Sequence, residues 1–72
     1  MYNKGDLVYV PSEALLSDAE SNNGIKTYIK LKKPEVLILL EERQDHLVVQ
    51  KKGLKWFVKK NITYKIGEKN VN

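Results

Sequence analysis

Gly53-Leu54-Lys55-Trp56-Phe57-Val58-Lys59-Lys60-Asn61-Ile62-Thr63-Tyr64-Lys65-Ile66 is the stretch whose periodicity decides the fold. Leu54, Trp56 and Val58 alternate with Lys55, Phe57 and Lys59, and alternation resumes from Ile62 to Ile66. A period of two sends successive side chains to opposite faces of a sheet, so these are two short strands. Between them Lys59-Lys60-Asn61 is a break of about one turn, with Asn61 tolerant of positive φ.

Upstream the same pattern recurs. Lys52-Gly53 is a tight turn, and His46 to Gln50 is a strand with Leu47 and Val49 on one face. Glu41 to Asp45 is a charged turn. The aliphatic run Val36 to Leu40 is too short for a helix and is expected as a central strand covered on both faces. Pro34 stops a strand in which Ile25, Thr27, Ile29 and Leu31 alternate with Lys26, Tyr28, Lys30 and Lys32. Leu7 to Val10 forms the first strand, opened by Lys4-Gly5-Asp6 and closed by Pro11. Residues 11–24 are a long excursion: Ser12 caps a short helix there, or the segment is an ordered loop. Asn23-Gly24 is turn-forming.

These parts predict an all-β fold, a small antiparallel barrel of five to six short strands. A long loop, with one helical turn on the helical alternative, follows the first strand. Residues 1–66 make one domain and residues 67–72 a flexible polar tail.

The order of parts, with Lys4 to Pro11 (KGDLVYVP) at the start and Gly53 to Ile66 at the end, resembles the SH3-like barrel. The resemblance equates the excursion with the RT loop and the late break with a 3₁₀ turn. Gly5-Asp6-Leu7-Val8-Tyr9-Val10 is also similar to the Gly-Asp-x-Val-x-Val opening of KOW-type and related modules. The likeness stops short of the peptide-binding members, because Tyr9 stands alone and no tryptophan pair occurs. Recognition of proline-rich helices is therefore not implied.

Seventy-two residues without cysteine allow one core and no second lobe, and exclude disulfide scaffolds and thiolate zinc sites. The opening residues Met1 to Asp6 show no apolar h-region and no run is long enough for a membrane span, so a cytoplasmic protein is expected, with no membrane partner. Catalysis is not expected: His46 is the only histidine, and Glu41 and Glu42 point to opposite faces of a strand. No cofactor or metal site is expected, since the four glycines are scattered turn positions and the carboxylates are dispersed.

Charge is segregated along the chain. Residues 1–24 and 34–50 are each net −3, residues 25–33 are +4, and residues 51–72 are +6. Phosphates need a cationic stripe and single-stranded bases need aromatic faces. The candidate nucleic-acid-binding residues are Lys26, Tyr28, Lys30, Lys51, Lys52, Lys55, Phe57, Lys59, Lys60 and Lys65. At most one of Trp56 and Phe57 is exposed, the core being the favoured place for Trp56 with the exposed alternative left open; Tyr28, flanked by lysines, is expected outside. Arg43 is the only arginine, which argues against base-specific readout. The rival expectation is a protein partner: an adaptor or accessory subunit, phage-encoded modulators included, acting through a sheet edge or the acidic loop. Either fits a monomer or a homodimer.

Overall fold

A computed structural model of the chain describes residues 2–18 and 27–66. Seven strands lie in one antiparallel sheet: β1 (Leu7–Val10), β2 (Leu15–Ser17), β3 (Tyr28–Lys30), β4 (Glu35–Glu42), β5 (His46–Lys51), β6 (Leu54–Lys59) and β7 (Tyr64–Ile66). Their spatial order is β3-β2-β6-β5-β4-β1-β7. The pairing runs from β3 to β7, with no ladder joining these two ends among the described residues.

Register explains the core. Val8 stands opposite Leu37, Leu39 opposite Val49, and Leu47 opposite Val58. With Val10, Leu16, Leu31 and Ala14 these inward side chains form one buried cluster, against which Trp56 and Ile62 pack. Strands from both halves of the sheet feed this single cluster. Burying each Leu or Val contributes about 1.5–3 kcal/mol.

The tight Lys52-Gly53 turn is a two-residue hairpin loop between Lys51 and its partner Leu54. Both loop residues have positive φ, 53° and 78°, the geometry that matches the twist of the flanking strands. The expected break before the last strand is a 3₁₀ turn over Lys60–Ile62. Thr63 closes it, its hydroxyl and N–H both donating to the Lys60 carbonyl at 2.9 and 3.2 Å. The Lys60 N–H donates to the Asp45 carbonyl at 3.0 Å, which moors the turn to the β4–β5 connection.

Three expectations are corrected. Among the described residues the sheet has seven strands rather than five or six, because the excursion itself contributes β2 and β3. No helical turn follows Ser12: the Ala14 N–H closes a turn onto the Pro11 carbonyl at 3.4 Å, and Glu13 takes the left-handed φ of 72°. A right-handed helix cannot propagate through that conformation. Leu15 then faces out and Leu16 in, a period of two. Glu13 and Leu31 extend the β2–β3 ladder, the Glu13 N–H donating to the Leu31 carbonyl at 2.8 Å.

The third correction concerns Val36 to Leu40. Leu37 and Leu39 are buried, but Val36 and Ile38 are 51% and 45% exposed, so β4 is covered on one face. The register shifts between Leu39 and Glu41. Leu40 is the extra residue of a bulge, which returns Glu41 to the outer face. Asn23-Gly24 and the tail 67–72 lie outside the described residues.

Candidate nucleic-acid interface

Residues paired across strands share a face, so the outer surface follows from the ladders. Tyr28 stands opposite Ser17, Ser17 opposite Phe57, and Phe57 opposite Val48. This row crosses β3, β2, β6 and β5. Tyr28 is 56% exposed, as expected from its lysine flanks, while Phe57 is half-buried beside the buried Val48. Lys55 and Lys59, two positions either side of Phe57, share its face and are exposed. Lys59 is opposite His46, Lys55 opposite Gln50, and Lys30 opposite the exposed Leu15.

Trp56 lies on the other face, partly buried against the core cluster. The alternation at Lys55 to Lys59 thus separates the two adjacent aromatics, one packing inward and one facing out with the lysines.

The remaining candidates are placed differently. Lys51 reaches Glu35 Oε1 at 2.6 Å in a partly buried pair. Lys60 reaches Glu42 Oε2 at 2.8 Å and Lys65 reaches Asp6 Oδ2 at 3.4 Å. Lys30 meets Glu13 at 3.3 Å, an exposed pair that leaves its ammonium largely hydrated. Lys52 sits on the exposed β5–β6 turn. Among the described residues, Lys52, Lys55 and Lys59 make no ion pair. Lys26 lies outside the described residues.

Two carboxylates feel these partners. Asp6 accepts the Asn3 N–H at 2.7 Å, and this bond, with the Lys65 charge beside it, holds its carboxyl below the usual range. The hydrogen bond from Lys60 does the same for Glu42.

One end of the lysine face opens into a pocket of about 460 Å³ lined by Gln44, Asp45, His46, Lys59, Lys60 and Asn61. Leu15, His46 and Gln50 complete the face, with Ser17 buried between Tyr28 and Phe57, and none of the four was among the sequence candidates. Only the β2 and β5 registers could have placed them beside the lysines.

The other half of the outer surface is different in kind. Leu7 stands opposite Ile38 and Ile66, and Tyr9 opposite Val36 and Tyr64. The Tyr9 and Tyr64 rings lie 6.0 Å apart at a tilt of 49°. Six apolar side chains thus form a two-by-three grid on β4, β1 and β7, with no charge within it.

Among the described residues no helix is long and apolar enough to cross a membrane. The chain matches no protein-family model, and no curated protein or solved structure is significantly similar to it.

Proposed function

We propose that the protein is a small non-enzymatic binding module that associates with nucleic acid through the outer face of β3, β2, β6 and β5. The observation that carries this reading is the row Tyr28–Ser17–Phe57, with Lys55 and Lys59, which make no ion pair among the described residues, beside Phe57. Phosphates attract the ammonium groups, and exposed aromatic rings offer faces to unstacked bases at about 1–3 kcal/mol per stack. Arg43, the one arginine, pairs with Glu41 at 3.0 Å, so binding is weak and without base specificity. An SH3-like barrel accompanies this reading. It is supported by the strand order, the excursion after β1, the β4–β5–β6 meander and the 3₁₀ turn before a last strand that returns to β1. A cytoplasmic location goes with it.

The test is titration of labelled single- and double-stranded DNA and RNA at about 50 and 200 mM salt. Binding that weakens with salt and is lost in Lys55→Glu plus Lys59→Glu supports the proposal. No detectable binding at the lower salt overturns it. A second reading, a protein-interaction module, is favoured by the uncharged grid on β4, β1 and β7.

A further inference from the structure

We infer that the grid formed by Leu7, Tyr9, Val36, Ile38, Tyr64 and Ile66 is the contact face of a homodimer. In a chain with 31% charged residues, three adjacent strands present a charge-free patch, and four of its members are 45–64% exposed. Depletion of charge at the centre with enrichment in tyrosine is the composition of an interface core.

The occupant follows from area, charge and chain composition. The patch presents apolar area on the order of 400 Å², about half of the ~800 Å² that each partner buries in a standard interface. The remainder is the polar rim such interfaces carry. The segments of this chain outside the described residues contain only Met1, Ala19, Ile25 and Val71 as apolar residues, too few to cover six side chains. A second copy brings an equally apolar, uncharged surface. Strand order sets the lysines of β6 one strand, β5, away from the contact, and those of β3 further still, beyond β2 and β6. Two basic protomers of net charge +4 therefore meet without opposing their like charges.

Symmetry sharpens the geometry. A two-fold contact is isologous, the same patch on both sides. β1 is the central strand of the three, so an axis through the patch stacks β1 on β1 of the second copy, sheets about 10 Å apart. The two Leu7 side chains then lie close together. This assembly is independent of the nucleic-acid proposal, and it leaves both lysine faces open.

Sedimentation equilibrium of the full chain from about 5 to 200 μM tests the inference. The expected mass rises with concentration towards twice that of the monomer. Val36→Lys and Tyr64→Lys, checked for folding by circular dichroism, are expected to weaken the dimer at least tenfold. Because the chain lacks cysteine, Leu7→Cys joined by a short bismaleimide is expected to give a covalent dimer, while Lys55→Cys is not. A wild-type protein that stays monomeric at the highest concentration overturns the inference. So do lysine variants that dimerise like wild type, or cross-linking from Lys55→Cys as efficient as from Leu7→Cys. Should a lysine variant fail to fold, the cross-linking pair decides alone.

Discussion

Ser17 of β2 stands opposite Phe57 of β6, and among the described residues this is the one position at which the β2–β3 hairpin is registered against the rest of the sheet. Ser17 thereby also brings Tyr28, its partner on the other side, into the same row.

The two aromatics are expected to separate under substitution. Tyr28→Ala removes an exposed ring, so it lowers single-strand affinity roughly 5- to 150-fold, the equivalent of one stack, with little change in melting temperature. Phe57→Ala, half-buried, lowers both affinity and stability. Fluorescence titration with oligonucleotides beside thermal melts checks this, and unchanged affinity in both variants removes stacking from the proposal.

Salt dependence counts the phosphate contacts. Two to three lysines, Lys55, Lys59 and the exposed Lys30, predict that single-strand affinity falls about 7- to 20-fold between 50 and 200 mM salt. Lys51→Gln changes neither affinity nor slope by comparable amounts, because Glu35 already engages that ammonium. A slope that responds equally to Lys51 and Lys59 would place the contact elsewhere.

At the β5–β6 turn, Lys52 holds a left-handed φ of 53°, which is unfavourable for a side chain with Cβ. Lys52→Asn is expected to stabilise the protein by about 0.5–1 kcal/mol, since Asn tolerates that conformation. Gly53→Ala is expected to destabilise by about 1 kcal/mol. Nothing lies within 4 Å of the Cβ it adds, so the cost arises from its φ of 78° rather than from a clash. For a domain of this size each kcal/mol moves the melting temperature by about 4–8 °C.

Neighbouring aliphatics on β4 are expected to differ sharply. Leu39→Ala opens a cavity in the core and costs about 2–5 kcal/mol, a large share of the roughly 4–11 kcal/mol typical for such a length. Ile38→Ala, on the outer face, changes stability by less than about 1 kcal/mol. Urea denaturation of the two variants at low protein concentration separates them, and equal losses would contradict the one-sided covering of β4.

Acid titrates two anchored carboxylates. The folded-state values of Asp6 and Glu42 are lowered, chiefly by the Asn3 N–H and by Lys60 respectively. The unfolded chain therefore binds more protons, and the stabilisation is present above the ordinary carboxylate range near pH 4. It is lost as pH falls through the depressed folded values. Asp6→Asn and Glu42→Gln are each expected to lower the urea midpoint at pH 7 and to shrink its fall between pH 5 and 3. An unaltered acid limb in both variants contradicts the assignment.

How much of this was legible in the residues depended on whether local pattern or long-range register decided it. Strict alternation at Leu54 to Lys59 and at Leu47 to Val49, and the Lys52-Gly53 pair, specify strands and a turn locally, and the structure agrees. β2 and β3 are three residues each and exist because Leu16 meets Ile29 across the ladder, which no local window around Ser12 contains. An unbroken aliphatic run carries no facing information, so the exposure of Val36 and Ile38 emerged only with β1 in place. The lysines behaved likewise. Lys55 and Lys59 could be assigned to one face by parity, whereas the pairing of Lys51 with Glu35 and of Lys65 with Asp6 required knowing which strands are neighbours.

Leu7 stands opposite Ile66, with nearly the whole described chain between them. Closing so long a loop is entropically slow and is rewarded only after the intervening β4–β5–β6 meander is in place. Folding should therefore proceed from the meander outward, with β7 docking late. Until it docks, β1 is an open edge bearing Leu7 and Tyr9, so the interval before docking is when a nascent chain is most exposed to mispairing with its neighbours.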